Sequence, residues 1–215
     1  MSLTLYHYVH CPFCIRVRMA FGYLKQSYTS RVLDYDDEAT PLKLTGVKIL
    51  PALETNGKSI NESLDIIALV DKKNTLKVKE TMAAADYGEL EKYLSHLGNP
   101  VHSLAMPYWI WTPEFTPSAR QYFQLKKEQK RGPFRTLVRN QLSFMTELKP
   151  LLERLEAELS PFYQSEVFGL KDILLAAHVW GLYVVPEFQF SPRVHEYLQS
   201  VKQHCSFNYH QDFWS

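Results

Sequence analysis

Two cysteines, Cys11 and Cys14, lie three positions apart in the stretch V-H-C-P-F-C-I-R near the start of the sequence. A pair at this spacing can bind a metal ion, form a structural disulfide or carry out thiol chemistry. His7 and His10 add two residues of a type that binds zinc. His7 falls within a predicted strand, however, and no second C-x-x-C or H-x-x-H follows to complete a site. We therefore expect no metal here.

As a structural crosslink the pair would contribute little. The chain-entropy model assigns about 2 kcal/mol to a loop of about four residues, against about 4.7 kcal/mol for a loop of about 100 residues. A strained and exposed disulfide is easily reduced, which suits a bond that is made and broken repeatedly.

Thiol chemistry has a clear physical rationale at Cys11. Pro12 fits the first turn of a helix, so Cys11 lies just before a helix start, where free N–H groups and the helix dipole favour an anion. Arg16 and Arg18 add positive charge nearby. A thiol in such a place can have a pKa between roughly 3.5 and 7.5. At a pKa of about 5 the thiolate would be about thirtyfold more abundant at pH 7 than it is for an ordinary cysteine. Each thiolate would be less nucleophilic by a similar factor, so the rate of attack would hardly change. The main gain is that Cys11 becomes a better leaving group.

Composition narrows the class of protein. The chain has 215 residues, 46% of them hydrophobic, and a formal net charge of +1, which disfavours a nucleic-acid partner. Its uncharged run at residues 173–186 is shorter than the roughly 20 residues that span a bilayer, and no signal peptide is visible. Three cysteines do not form a secreted disulfide framework. We expect a cytoplasmic protein that acts as a monomer, without a membrane partner.

The elements that position the cysteines follow a β-α-β-α-β-β-α order that ends at about Asp71. Residues 3–8 read as a strand, the helix after Cys11 carries apolar residues at helical spacing, and residues 29–35 form the next strand. Thr40-Pro41 predicts the start of a short helix that ends at Gly46. Asn56-Gly57 predicts a hairpin turn within residues 50–61, and Ser63 is expected to cap a helix over residues 64–70.

Everything after a charged linker reads as helix, so the predicted fold is α/β followed by all-α. The domain boundaries are predicted at residues 1–71, with a linker at 72–80 and a helical domain at 81–215. The expected helices, with their end signals, are 82–97 (ended by Gly98-Asn99-Pro100), Thr116-Pro117 to Gly132-Pro133, 134–159 (kinked or divided at Pro150), 172–185, and Ser191-Pro192 to about His204.

The segment Y-V-H-C-P-F-C at residues 8–14 resembles the glutaredoxin active site. With its helical second half, the chain is similar to the two-domain glutaredoxin 2 type, which has the architecture of a glutathione transferase. The resemblance also runs through D-D-E-A-T-P at 36–41, G-V-K-I-L-P-A-L at 46–53 and N-E-S-L-D-I-I-A-L-V-D at 61–71. In the second half it rests on length, helical layout and G-L-K-D-I at 169–173, where Gly169 stands in place of the usual Ser or Thr and should weaken an N-capping box. It implies a thioredoxin-like domain followed by a glutathione-transferase-like helical domain.

The resemblance also implies a glutathione site. Cys11 matches the nucleophile and Cys14 the resolving thiol. Leu50-Pro51 matches a cis-proline step at which the main chain of Leu50 pairs with the tripeptide. Phe13, between the cysteines, belongs to the same implied site.

Three further residues are implied at the ends of glutathione. Glu62 and Ser63 match the pair that holds the γ-glutamyl end, through a carboxylate and a hydroxyl at a helix start. Lys48 would meet the glycine carboxylate. Taken singly, Ser63 reads as an ordinary helix cap, Pro51 as an edge-strand proline and Lys48 as a surface lysine.

Other noticeable residues are expected to be structural. The aromatic cluster of Tyr108, Trp109, Trp111 and Phe115 should pack in the core, Cys205 should be an incidental buried thiol, and His178 should be a core histidine with its hydrogen bonds satisfied.

The predicted activity is glutathione-dependent reduction of protein disulfides and of glutathionylated proteins, with glutathione as the reducing co-substrate. Two alternatives stay open. The protein is a glutathione transferase or dehydroascorbate reductase that uses Cys11 on a small substrate, or it is a non-enzymatic module of the same fold that binds a metal or cluster.

Overall fold

The computed structural model describes residues 2–208. Its first part is a mixed sheet in the order β2-β1-β3-β4, formed by β1 (Leu3–His7), β2 (Thr29–Val32), β3 (Ala52–Thr55) and β4 (Lys58–Ile60). The helices of this part are α1 (Pro12–Tyr23), α2 (Ala39–Thr45) and α3 (Ser63–Val70). The predicted β-α-β-α-β-β-α order is confirmed.

The strand register places the end of β1 next to the start of β3. β1 is parallel to β2 and antiparallel to β3, and Tyr6 pairs with Ala52. Residues that follow Tyr6 therefore lie beside residues that precede Ala52. Two segments distant in the sequence, the cysteine motif and the Leu50-Pro51 step, are brought together at one edge of the sheet by this pairing.

The hairpin between β3 and β4 turns where the sequence predicts. Asn56 and Gly57 have φ angles of 51° and 73°. A two-residue turn with both central residues in the left-handed region is the type that matches the twist of the flanking strands.

The start of α2 differs slightly from the prediction. The helix begins at Ala39 rather than after Thr40, because the carboxylate of Asp37 accepts a hydrogen bond from the Thr40 amide at 2.9 Å. Gly46 ends the helix at a φ of 78°, as predicted.

The second part of the described chain is helical. Its helices are α4 (Val78–Ala83), α5 (Tyr87–Trp109), α6 (Pro117–Arg131), α7 (Phe134–Arg139), α8 (Gln141–Ala157), α9 (Leu170–Val179) and α10 (Pro192–His204), with a 3₁₀ helix at Trp180–Val184. Helix α1 packs between α3 and α9, and α5 packs on α8 and α9. No helix of the described chain is both long enough and apolar enough to cross a membrane.

Two predicted breaks in this part are wrong. Helix α5 runs through Gly98-Asn99-Pro100 to Trp109. Leu97, Val101 and Leu104 form one continuous buried face across the proline, and burial of that face outweighs the lost backbone hydrogen bond.

At Pro150 the sequence predicts a kink or a division of the helix, and the division is wrong. Residues 134–157 divide at Asn140, whereas Pro150 lies within α8. Pro150 and Thr146 are both exposed, so the carbonyl that loses its helical donor can be hydrated.

The helix predicted from residue 82 is instead divided into α4, which begins at Val78 within the predicted linker, and α5, which begins at Tyr87. The helix predicted over residues 172–185 begins at Leu170 and gives way to the 3₁₀ helix at Trp180.

The helix starts after Thr116 and Ser191 agree with the sequence. Thr116 and Ser191 accept hydrogen bonds from the amides of Ala119 and Val194, at 3.3 Å each, and a proline follows each cap. Gly169 supplies no capping side chain, but the buried carboxylate of Asp172 accepts from the Gly169 amide at 2.9 Å.

Candidate active site

Cys11 occupies the turn from β1 into α1. It is the N-cap residue, with φ of −70° and ψ of 123°, and its carbonyl accepts hydrogen bonds from the amides of Cys14 and Ile15 at 2.9 Å each. Pro12 begins the helix. Cys11 is partly exposed and Cys14 is fully buried, and both are free thiols. A substrate can thus reach Cys11 before it reaches Cys14.

The two thiols have pKa values that move in opposite directions. A hydrogen bond from the Cys14 thiol is the largest cause that lowers the pKa of Cys11, to about 7, and the amides of Cys14 and Phe13 and the charge of Arg16 act in the same direction against burial. Burial is the largest cause that raises the pKa of Cys14 well above its ordinary value. The amide of Tyr8 also donates to the sulfur of Cys14 at 3.4 Å. Cys11 is therefore the more acidic thiol, and its pKa of about 7 lies within the range of roughly 3.5 to 7.5 expected of a thiol before a helix start.

The Leu50-Pro51 peptide bond is cis, as predicted. Pro51 is buried next to the start of β3, and Leu50 shares a cavity wall with Cys11. The main chain of Leu50 thus lies at the edge of the sheet that carries Cys11.

Lys48 lines the same cavity as Cys11 and Leu50, and its ammonium already contacts Glu38 and Tyr122. Its ammonium lies 3.0 Å from a carboxylate oxygen of Glu38 and 2.9 Å from the hydroxyl of Tyr122 on α6, and it is 4.2 Å from the centre of the Tyr122 ring. The Tyr122 hydroxyl also donates to Glu38. Lys48 therefore joins α2 to α6, and a glycine carboxylate would have to compete with Glu38 for it.

Glu62 and Ser63 lie at the start of α3, but Ser63 is not the cap that its position in the sequence suggested. Glu62 is the N-cap residue and is exposed, whereas Ser63 is the first helical residue and is buried. The hydroxyl of Ser63 accepts hydrogen bonds from Arg16, one of them from Nε at 2.8 Å and the other from Nη2.

Arg16 has a second role besides placing a positive charge near Cys11. It is buried on α1, and its guanidinium lies 4.5 Å from the centre of the Phe13 ring. Phe13, Arg16 and Ser63 thus form a continuous line from the cysteine motif to α3. No local signal could have revealed this, because Arg16 and Ser63 are 47 residues apart.

A cavity of about 300 Å³ opens at Cys11, and it is called the Cys11 cavity below. Its walls come from the end of the sheet and from the region of α5 and α6, and they are largely aromatic and apolar. Glu62 and Ser63 are not part of its lining. The lining residues include Tyr8, His10, Cys11, Phe13, Tyr35, Lys48, Leu50, Trp109, Glu114, Phe115, Phe123 and Lys127.

His10 connects the cysteine motif to the helical part. Its ring is stacked between Trp109 and Phe115, with centroid distances of 5.6 and 5.5 Å and interplanar angles of 17° and 18°. The hydroxyl of Thr112 donates to the Trp109 carbonyl at 2.8 Å, so it accepts from His10 Nε2 at 2.7 Å. A carboxylate oxygen of Glu114 lies 3.8 Å from the same nitrogen. The residue that precedes Cys11 is thereby held by the end of α5 and the segment that follows it.

The predicted aromatic cluster divides into two groups. Trp109 is buried, as expected of core packing, but it and Phe115 also line the Cys11 cavity. Trp111 is 67% exposed, and the guanidinium of Arg120 lies 4.4 Å from the centre of its ring. The expectation of core packing is therefore wrong for Trp111 and incomplete for Trp109 and Phe115.

Two further expectations are confirmed. Cys205 is buried and free, and burial raises its pKa. His178 is a core histidine whose Nδ1 donates to the carbonyl of Leu174 at 2.9 Å, and burial lowers its pKa to about 4. Within residues 2–208 no three His, Cys, Asp or Glu side chains are grouped closely enough to hold a metal ion.

Two family models match the chain. The model described as the C-terminal domain of glutaredoxin 2 matches residues 89–213. The model described as the N-terminal domain of glutathione S-transferase matches residues 5–77.

Individual proteins match over nearly the whole chain. Glutaredoxin 2 of Escherichia coli strain K12 is 28% identical over 211 residues, which cover 96% of this chain and 97% of that protein. The structure of glutaredoxin 2 from Salmonella typhimurium in complex with glutathione has a TM-score of 0.84 at 28% identity and covers 96% of each chain. A glutathione S-transferase of Ceriporiopsis subvermispora, also in complex with glutathione, has a TM-score of 0.79 at 14% identity and covers 95% of this chain and 98% of that one. This last likeness concerns the fold alone.

Proposed function

The chain belongs to the glutaredoxin 2 family, and from that premise we propose that it reduces protein disulfides and glutathione mixed disulfides through Cys11 and Cys14. It is a glutathione-dependent oxidoreductase with glutathione as its reducing co-substrate. The observation that carries the dithiol proposal is the contrast between a partly exposed Cys11 with a pKa of about 7 and a buried Cys14 that donates a hydrogen bond to it.

The first half of the proposed cycle is an exchange at sulfur. The thiolate of Cys11 attacks the glutathione sulfur of a mixed disulfide GS–S–R. A Cys11–SG bond forms, the original S–S bond breaks, and the leaving thiolate RS⁻ takes a proton from solvent. A pKa of about 7 keeps about half of Cys11 as thiolate at pH 7, so the attacking species needs no separate base.

The second half regenerates the enzyme. A second glutathione thiolate attacks the glutathione sulfur bound to Cys11, which forms oxidised glutathione and releases the Cys11 thiolate. The same causes that stabilise this thiolate make it a good leaving group. In sum, GS–S–R and one glutathione become RSH and oxidised glutathione.

A protein disulfide follows a different second step. After Cys11 has attacked, Cys14 loses its proton and attacks the sulfur of Cys11, which releases the substrate dithiol and leaves a Cys11–Cys14 disulfide. This attack is intramolecular because both cysteines belong to the same chain. Their side chains are close enough to form a hydrogen bond in the reduced protein, so the effective concentration of Cys14 at Cys11 is high. Two glutathione molecules then reduce the disulfide.

The proposed glutathione site uses the residues that the resemblance implied, with one change. The main chain of Leu50, the carboxylate of Glu62 and the hydroxyl of Ser63 would hold the tripeptide, with Phe13 beside it. Arg16 supports Ser63 because it fills the acceptor lone pairs of that hydroxyl and leaves its proton free to donate to a carboxylate. Lys48 stays in the proposed site but has to leave Glu38 to serve there.

The Cys11 cavity favours a small second substrate as well, because its aromatic walls would exclude water from a compact thiol or carbonyl compound. Dehydroascorbate reduction or glutathione conjugation at Cys11 is therefore the second candidate activity. We place either activity in a reducing compartment such as the cytoplasm, where thiols stay reduced, and assign it to a monomer.

The deciding experiment is a glutathione-coupled assay on a small mixed disulfide and, separately, on a dithiol protein substrate. Cys11→Ser should lose both activities, whereas Cys14→Ser should keep deglutathionylation and lose most direct reduction of the protein disulfide. Cys205→Ser is the matched control, because it removes a buried cysteine outside the cavity lining and should change neither activity.

Three outcomes would count against the proposal. Equal loss of both activities in Cys14→Ser would indicate an obligatory dithiol mechanism. Full retention of both would make Cys14 a bystander and favour the small-substrate alternative. A wild-type protein that turns over neither substrate but conjugates an electrophile would establish the transferase activity instead.

A further inference from the structure

The charged side chains in the wall of the Cys11 cavity are not equally compensated. Lys48 has the carboxylate of Glu38 at 3.0 Å. Glu114 lies 3.8 Å from Nε2 of His10. Lys127, on α6, differs from both: within the part of the chain that the structure describes, no carboxylate and no hydrogen-bond acceptor contacts its ammonium.

The surroundings of Lys127 remove part of the water that would otherwise solvate its ammonium. It is partly buried and faces the rings of Tyr35 and Phe123, at 5.5 and 5.4 Å from their centres. Burial is the largest cause that lowers the pKa of Lys127, and the negative charge of Cys11 acts in the opposite direction. A partly desolvated cation without a counter-ion gains free energy from any anion that enters the cavity.

The catalytic cycle removes the charge that now compensates Lys127. While Cys11 is a thiolate, the two opposite charges stabilise each other across the cavity. Once Cys11 forms a disulfide with glutathione it is neutral, and the ammonium of Lys127 loses the opposite charge of the thiolate. The species next to Cys11 when this charge is lost is the leaving thiolate of the mixed disulfide, R–S⁻.

We propose that Lys127 is a specificity-determining residue that binds a carboxylate on the thiol half of the substrate, next to Cys11. This proposal rests on the proposed thiol-disulfide exchange and names its substrate class: thiols that combine an apolar or aromatic body with a carboxylate. The body packs against the aromatic wall, and the carboxylate takes the ammonium of Lys127. The exchange itself is unchanged, with a Cys11–SG bond formed, the GS–S–R bond broken and the electron pair leaving on the R sulfur.

The cavity is suited to such a thiol in size and composition. Its volume of about 300 Å³ is shared with the glutathione half, which the proposed site places at Phe13, Lys48 and Leu50. The aromatic ring with its short acidic arm would take the part lined by Trp109, Phe115, Phe123 and Lys127. Lys127 belongs to the helical part, outside the four segments of the first domain that resemble glutaredoxins. The helical part thus supplies a charge that selects substrates for a nucleophile on the thioredoxin-like part.

The test compares two substrates that differ only at the proposed contact. These are the mixed disulfides of glutathione with para-mercaptophenylacetic acid and with the primary amide of that acid. Both carry the same glutathione and the same ring, so the ratio of their kcat/KM values reports the carboxylate. The variants are Lys127→Met, Lys127→Arg and, as the matched control, Lys126→Met, which removes the same charge from the exposed neighbour that does not line the cavity.

The wild type should prefer the acid, and the preference should fall about tenfold or more in Lys127→Met, the usual effect of one charge-assisted hydrogen bond. It should be retained in Lys126→Met and partly retained in Lys127→Arg. The loss should appear mainly in KM, and added salt should reduce the preference of the wild type.

Several results would overturn the proposal. One is the absence of any preference for the acid in the wild type. Another is the same preference in Lys127→Met as in the wild type. A third is an equal loss of the preference in Lys126→Met, which would show a non-specific effect of positive charge near the cavity. The first of these needs no variant, so it applies even if the Lys127 variants do not fold. Turnover of neither substrate by the wild type would instead contradict the proposed function itself.

Discussion

The hydrogen bond between the two thiols can be tested through the titration of Cys11. Cys14→Ala removes the donor that contributes most to the lowered pKa of Cys11. Burial then opposes only the amides of Cys14 and Phe13 and the charge of Arg16. We expect the pKa of Cys11 to rise from about 7 towards the ordinary value of 9.0.

The size of the effect follows from these two values. A pKa lowered from 9.0 to about 7 corresponds to about 2.7 kcal/mol of preferential stabilisation of the thiolate. At pH 7 the thiolate fraction would fall from about half to about 1% if the whole shift were lost. The thiolate that remains is more nucleophilic by about sixfold to tenfold, so the observed rate at pH 7 should fall by only about fivefold to eightfold.

The assay is the rate of alkylation by iodoacetamide between pH 5 and 10, with the modified cysteine identified by mass spectrometry. Cys14→Ser is the matched control, because its hydroxyl still donates and the midpoint should stay close to that of the wild type. A midpoint in Cys14→Ala that stays near 7 would refute the argument and assign the acidity to the helix start and Arg16. A wild type in which Cys14 is alkylated first would reverse the proposed roles of the two thiols.

Three further predictions concern other parts of the molecule. Glu62→Gln should raise the KM for glutathione about tenfold to a hundredfold in steady-state assays and leave the alkylation midpoint of Cys11 unchanged, because one charge-assisted hydrogen bond is lost. Thr112→Val should lower the free energy of unfolding by about 1 to 3 kcal/mol in urea titrations, because His10 Nε2 loses its acceptor. Burial holds the pKa of His7 and of His178 at about 4, whereas both titrate near 6.5 when unfolded, so the unfolded state binds more protons between these values. Stability should therefore fall as the pH drops from 7 to 5, by about 2 kcal/mol for each of the two histidines, and His178→Gln should remove one such contribution.

Each of these predictions has a control and a contrary outcome. Glu153→Gln changes an exposed carboxylate on α8 and should leave the KM for glutathione alone, and an unchanged KM in Glu62→Gln would remove Glu62 from the site. Thr146→Val makes the same substitution at an exposed helical position and should cost little, so an equal cost at both positions would contradict the role given to Thr112. An acid-induced loss in His178→Gln equal to that of the wild type would show that His178 does not titrate as its burial requires.

Several features of the fold follow from local signals. Asn56-Gly57 determines the hairpin because both residues accept a positive φ, and Thr116-Pro117 and Ser191-Pro192 determine helix starts because hydroxyl and ring act within one turn. The same reasoning fails at Pro100 and Pro150. There the local cost of a proline is real, but the packing of a buried helix face or the hydration of a carbonyl decides the outcome.

The candidate site shows the same division. The sequence alone determined that Cys11 precedes a helix start, that Cys14 lies one turn on, and that an anionic thiol is favoured there, because these depend on neighbours within a few residues. Only the tertiary structure decided that Arg16 holds Ser63 across 47 residues and that Thr112 holds His10 across 102 residues. It also decided that Lys127 on α6 lines the same cavity as Cys11. Such contacts depend on how distant elements pack, and the energy of that packing is not written in the spacing of any local motif.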